Sequence, residues 1–253
     1  MSNEIIGNPA LINSKVEFLG NHNILYCEKG VTIKDSYIKF NGDNSIVYLS
    51  QNRHTYYFQI TAYHNSVCYF GKHNYTNKKM HIILSEEKHV FIGDECLFAI
   101  DCWIRTSDPH IIYNFNKERI NASKSVYIGD HVWCGQNVLL LKGCRLGSGC
   151  ILGGGAVVSA KRLSSNCIYA GNPVRLIREE VFHSKKSVNL FTEEDSVKYD
   201  EFVDDRWIYQ NDSSTIAFDV IEEELSKNKD YSYRLNYLIN TLTTAKNRFY
   251  IEE

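Results

Sequence analysis

The 253 residues are 43% hydrophobic and carry a formal net charge of −2, which suits a soluble domain with a substantial core. So balanced a charge offers no basic stripe and argues against nucleic acid as a partner. No apolar run approaches the ~20 residues of a membrane span.

The chain opens MSNEIIGNPALINSK, without the basic flank and long apolar core of a signal peptide, so a cytoplasmic location is expected. Further on come Phe18-Leu19-Gly20-Asn21, Phe40-Asn41-Gly42-Asp43 and Phe70-Gly71-Lys72-His73, whose glycines lie 22 and 29 residues apart. We expect residues 1–89 to form irregular coils with bulges or short insertions, as suits the cap of a repeat stack. Phe91-Ile92-Gly93-Asp94 then returns 36 residues later as Tyr127-Ile128-Gly129-Asp130. That interval is six hexads, and it predicts Ile92, Phe98 and Ile104 to point inward with Cys96 and Cys102 in small slots.

From Ile128 to Arg162 the beat is unbroken: IGDHVW, CGQNVL, LLKGCR, LGSGCI, LGGGAV, VSAKRL. The first positions are Ile128, Cys134, Leu140, Leu146, Leu152 and Val158. Four of the six second positions are glycine, and the fifth positions from Val132 to Ala156 are small or β-branched. No α-helix holds one face with a period of six, because such positions drift around its 3.6-residue turn. A doubly wound α/β sheet fails as well, since parallel strands need a crossover of about a dozen residues. A chain that turns a corner every six residues satisfies the pattern, and hexapeptide periodicity is the mark of a parallel β-helix. Glycine recurs where the backbone must bend or approach a neighbour closely. The eight cysteines form no CxxC pair, and five occupy first or fifth hexad positions. They read as small buried hydrophobes of a reducing compartment rather than disulfides or zinc ligands.

Beyond residue 177 the rhythm stops. Helical spacing over Ile221 to Leu225 and over Tyr231, Leu235, Leu238, Ile239 and Leu242 predicts a mainly helical extension over 178–253. Phe191, Phe202, Trp207, Tyr209 and Phe218 bring enough apolar mass to pack it against the solenoid or a neighbouring subunit. The expected division is thus a solenoid domain over 1–177 and this extension.

Chemistry is expected where the rhythm breaks. Residues 106–125, within RTSDPHIIYNFNKERINASKS, carry proline, asparagine and turn signals that mark a loop leaving the coil. Loops on rigid scaffolds favour functional groups. This one presents His110, with Pro109 stiffening the backbone before it and Asp108 close enough to orient an imidazole.

The segments Asp108-Pro109-His110, Gly129-Asp130-His131-Val132-Trp133 and Ala170-Gly171-Asn172-Pro173-Val174-Arg175 together resemble the left-handed β-helix acyltransferases that use acetyl-coenzyme A. The resemblance covers roughly residues 90–180. Within that group, WIRTSDPHIIY followed by ERIN is similar to bacterial polysaccharide O-acetyltransferases, including those acting on capsular polysialic acid. The resemblance implies His110 as the catalytic base, which would take the proton of an acceptor hydroxyl. It implies Trp133 for oxyanion contact or a wall against a sugar ring, and His131 as a mere turn residue. Asp108, Tyr113 and Arg119 become candidates for binding the acceptor. Gly135, Gly153, Gly154, Ala156, Ser159, Asn172 and Pro173 would line the coenzyme, with Lys161 and Arg175 for its phosphates. Relatives often read Thr-Lys where this chain has Ser159-Ala160, with Lys161 displaced by one. A homotrimer with the coenzyme between protomers is implied, and no metal.

Other readings stay open at the level of sequence. The acceptor is a sugar of a capsular or surface polysaccharide, an amino sugar or another small molecule, or else the solenoid is a non-catalytic scaffold. A metal-dependent β-helix hydratase needs three histidines on adjacent coils, and His81, His89 and His110 lack that spacing.

Overall fold

A computed structural model describes residues 2–242 and 245–252. The chain winds as a three-sided parallel β-solenoid, the cross-section that six-residue sides require. Its first face is an eight-stranded parallel ladder from Glu4–Ile6 to Arg162–Leu163. The second face is split into a three-stranded ladder, which starts at Ala10–Ile12, and a six-stranded one that starts at Tyr75–Thr76. The third face is a seven-stranded ladder from Lys15–Phe18 to Val157–Val158. The last strand, Arg175–Arg178, turns back antiparallel on Ile168–Ala170.

The hexads map onto this geometry directly. First positions Ile128, Cys134, Leu140, Leu146, Leu152 and Val158 are all buried, as are fifth positions Val132, Val138, Cys144, Cys150 and Ala156. Ile92, Phe98, Ile104, Cys96 and Cys102 join the same apolar column. All eight cysteines are buried free thiols, and burial pushes most of them well above the ordinary thiol range, Cys27 to about 12.

The coils before residue 89 are longer rather than irregular. Ile24 pairs with Ile46, Ile46 with Val67, and Cys68 with Val90, so each turn takes 21 or 22 residues. The 29-residue glycine interval joins two different corners. Gly20 lies against Gly42 where the third face passes to the first, whereas Gly71 lies against Gly93 where the first passes to the second.

That second corner explains the repeated Gly-Asp. A Cβ on Gly93 would lie 2.4 Å from Asp130 Oδ1 and 2.7 Å from the carbonyl carbon of Gly129, so stacked coils leave no room for one. The aspartates tie the coils, since Asp130 Oδ1 accepts from the Asp94 N–H at 2.6 Å and Asp94 Oδ1 from the Lys72 N–H at 2.7 Å. Gly93→Ala must displace backbone and is expected to cost about 1–3 kcal/mol. Thermal unfolding checks this, and an unchanged melting temperature would contradict it.

The extension contributes α1 (Glu193–Lys198), α2 (Phe218–Lys227), α3 (Tyr231–Thr241) and a short 3-10 turn at Val188–Leu190, joined by long irregular segments. Helix α2 buries Phe218, Ile221 and Leu225, a stripe at helical spacing. Asp230 caps α3 by accepting from the Tyr233 N–H at 3.0 Å. Both helices pack on the outer side of the first face against Ile46, Tyr48, Val67, Tyr69, Phe91 and Tyr127. Helices α2 and α3 thus pack on their own solenoid, whereas Phe202 of the same extension stays 43% exposed. No helix among the described residues is long and apolar enough to cross a membrane.

Candidate active site

The loop leaves after Trp103–Arg105 on the third face and returns at Val126–Ile128 on the first, so it stands on the corner between them. Inside it the chain forms a small hairpin. Tyr113 bridges Arg119, and the Ile120 N–H donates to the Ile112 carbonyl at 3.0 Å. Lys117 takes a left-handed φ of 68° at the turn.

Two polar clusters fasten the loop to the coils. In one, the Arg119 guanidinium grips both oxygens of Glu86 at 2.9 and 2.7 Å, and the Ser123 hydroxyl donates to the same carboxylate. The Arg119 contact, then that of Ser123, pulls the Glu86 carboxyl down to about 2. In the other, Asp108 Oδ2 accepts from Lys142 Nζ at 2.5 Å and from Asn121 Nδ2 at 3.0 Å. These contacts hold the Asp108 carboxyl below its usual range, the Lys142 bond leading.

His110 is exposed, and its ring makes no hydrogen bond among the described residues. The expected help from Asp108 is therefore corrected: its carboxylate faces Lys142 and Asn121, not the imidazole. Arg119 is likewise engaged with Glu86 and serves to anchor the loop rather than stand free for an acceptor. Tyr113 projects into solvent from the hairpin.

Trp133 lies on the second face between Leu97 and Ile151, with its side chain outward and 42% exposed. His110 stands at the far corner, so one chain does not bring the two together. Beside Trp133, at 5.7 Å between ring centroids, is His183 of the extension, a residue that no motif singles out. His131 is a turn residue, with φ 53°, but also a buried one. Its ring stacks between His183 and Trp207 at 3.9 and 3.6 Å, and burial pushes its pKa down to about 3. His81 stacks on Trp103 of the third face, and His89 is buried at the corner that follows that face.

The residues assigned to the coenzyme fall on two corners. Gly135, Gly153 and Gly154 line the edge between second and third faces, and the Gly171-Asn172-Pro173 turn continues it. A Cβ on Gly153 would lie 2.9 Å from that of Ala170, and one on Gly135 would lie 2.7 Å from the Gly154 nitrogen. Coil stacking thus accounts for both glycines, while the resulting ridge is smooth backbone. Ala156 does not belong to it. Its side chain is buried, its N–H donates to Gly153 O and its carbonyl accepts from Leu139 N. Ser159 is exposed at the other corner, below the His110 loop. Lys161 donates from Nζ to the Val174 carbonyl at 2.9 Å, which braces the Asn172-Pro173 turn. Arg175 is exposed on the returning strand.

No family model matches the chain. It is 31% identical over 140 residues to a polysialic acid O-acetyltransferase of Neisseria meningitidis, covering 54% of this chain and 65% of the relative. It is 39% identical over 104 residues to a polysialic acid O-acetyltransferase of Escherichia coli O1:K1 / APEC, covering 41% and 34%. The chain thus spans less than two thirds of either relative. Its fold is similar to the crystal structure of the polySia specific acetyltransferase NeuO, with a TM-score of 0.65 and 29% identity over 78% of this chain and 95% of that one.

Proposed function

We propose that this protein is an O-acetyltransferase that moves an acetyl group from acetyl-coenzyme A to a sugar hydroxyl of a sialic acid polymer. The observation that carries the reading is His110, exposed with an unengaged ring on a loop pinned to the coil by two polar clusters, in a chain similar to polysialic acid O-acetyltransferases. His110 takes the proton of the acceptor hydroxyl as its oxygen forms a bond to the thioester carbonyl carbon. The carbon–sulfur bond then breaks, and the imidazolium returns the proton to the departing thiolate. No acyl-enzyme is required, because the thioester is already activated. The protein's work is to align two substrates and stabilise the oxyanion, a role for Trp133.

The division between corners favours assembly. The His110 loop and Ser159 stand on one corner; Trp133 and the glycine ridge lie on another side. The extension occupies the first face, which leaves the third face and the ridge free for neighbours. Three copies in a ring would set the loop of each against the ridge and Trp133 of the next, a closed heterologous trimer with the coenzyme between. Asn172, Pro173 and Arg175 are then the ridge's candidates for the coenzyme. We place the enzyme in the cytoplasm, where acetyl-coenzyme A is at hand and its eight free thiols stay reduced.

Thiol release from acetyl-coenzyme A is expected with sialic acid polymers, in a panel that also holds hexosamines and galactosides. Light scattering should give a mass near three times 29.2 kDa. If no acceptor releases thiol and calorimetry finds no coenzyme A binding, the enzyme reading fails and a scaffold remains. Release with another member of the panel alone would move the acceptor to that class, and a fully active monomer would overturn the shared site.

A further inference from the structure

We infer that Asn121 and Lys142 are positioning residues for His110, acting through its backbone carbonyl rather than its ring; this rests on the reading of His110 as the base. Asn121 is only 6% exposed and every polar atom of its carboxamide is used. Nδ2 donates to the His110 carbonyl at 2.7 Å and to Asp108 Oδ2 at 3.0 Å, while Oδ1 accepts from the Ile112 N–H at 2.9 Å. One side chain thus brackets the histidine from residue 108 to residue 112. A carboxamide supplies the two donors and the acceptor this needs.

Lys142 links that bracket to the rigid part of the molecule. It lies on the next coil, just after the buried Leu140. Its Nζ donates to Asp108 Oδ2 at 2.5 Å and to the Asn121 carbonyl at 3.0 Å. The outgoing limb, residues 107–112, has few other ties among the described residues. The Glu86 cluster grips only the returning limb, at Arg119 and Ser123. The hairpin bond from Ile120 to Ile112 merely couples one limb to the other. The position of His110 is therefore passed from the coil through Lys142 to Asp108 and Asn121, and from there to the backbone on both sides of the histidine. A base displaced by about 1 Å loses on the order of 10² in rate, so this chain of bonds has leverage on turnover.

Three variants test it: Asn121→Ala, Lys142→Met and Lys142→Arg. Steady-state kinetics with acetyl-coenzyme A and a sialic acid oligomer is paired with amide hydrogen exchange at Ile112. For the first two variants kcat should fall about 10–100-fold with KM for acetyl-coenzyme A nearly unchanged. Exchange at Ile112 should quicken while amides of the coil core stay protected. Lys142→Arg, which can still reach the Asp108 carboxylate, should recover most of the kcat. Wild-type kcat in Asn121→Ala or in Lys142→Met overturns the inference, as does unaltered Ile112 exchange in either. Should Asn121→Ala not fold, the contrast between the two Lys142 variants decides alone. If the wild-type protein releases no thiol from any acceptor, the acetyl-transfer reading fails. The clamp is then judged by Ile112 exchange, which needs no turnover.

Discussion

Replacing His110 with alanine is expected to lower kcat by about 10²–10⁴, the usual worth of a general base, and to leave coenzyme A affinity almost intact. The structure makes this a clean test. The imidazole is exposed and makes no hydrogen bond among the described residues, so its removal orphans no buried group. The loop's tie to this residue runs through the backbone carbonyl, which alanine keeps and which still accepts from Asn121. Stability should therefore change within the ~0.5 kcal/mol typical of surface positions, and lost rate reports lost chemistry. Arg175→Ala should show the opposite pattern, a raised KM for acetyl-coenzyme A with kcat nearly preserved, because the proposed site assigns its exposed guanidinium to the coenzyme. Stopped kinetics of thiol release separates the two. An active His110→Ala protein would sink the base assignment and move attention to Tyr113, exposed on the same hairpin.

The solenoid was legible because its period is short and its inward positions are consecutive in sequence. Residues 128 to 162 spell out side, corner and side again, and each inward residue is buried where the beat puts it. The longer N-terminal coils keep no six-residue beat. Their repeat is 21 or 22 residues, visible as Ile24, Ile46 and Val67 only once the ladders are aligned. Docking of the extension on the first face also left an unread trace. Ile46-Val47-Tyr48-Leu49 and Val67-Cys68-Tyr69-Phe70 are apolar at every position, not at alternate ones. A strand that is hydrophobic on both sides is covered on both sides, and α2 and α3 are the cover. The partnership of Asp108 with Lys142 had no such trace. The two residues are 34 apart, on opposite sides of a loop, and only the winding of the coil sets the lysine beneath the aspartate. For the same reason Asp108 looked like a partner for the imidazole two residues on, when its carboxylate in fact faces the next coil.

Arg248→Ala is expected to be strongly destabilising. The guanidinium is 1% exposed and lies between the two aspartates of the repeated Gly-Asp corner. Nε and Nη2 donate to Asp130 at 2.8 and 2.6 Å, and Nη2 lies 2.9 Å from Asp94 Oδ1. Those carboxylates also accept from backbone N–H groups of neighbouring coils, so the arginine joins the C-terminal segment to the scaffold where the coils are stitched together. Its loss would leave two like charges buried side by side, a situation that typically costs about 3–5 kcal/mol. Burial already raises the Asp130 carboxyl above its usual range, against the pull of Arg248; without that pull it must rise further. A carboxyl whose folded pKa exceeds its unfolded value binds more protons folded than unfolded, so the variant's deficit should be complete above that raised pKa. It should shrink as pH falls through the raised pKa towards the ordinary carboxylate value. Denaturant unfolding of wild type and variant at neutral and mildly acidic pH measures both the size and the slope. A second variant, Arg248→Met with Asp130→Asn, removes one of the stranded charges and should recover a good part of the loss, since the asparagine carbonyl can still accept from the Asp94 N–H. If Arg248→Ala unfolds with the wild-type midpoint, or if its deficit is the same at both pH values, the buried ion pair is not what fastens the extension. The apolar contacts of Phe249 and Ile251 with the first face would then have to do so unaided.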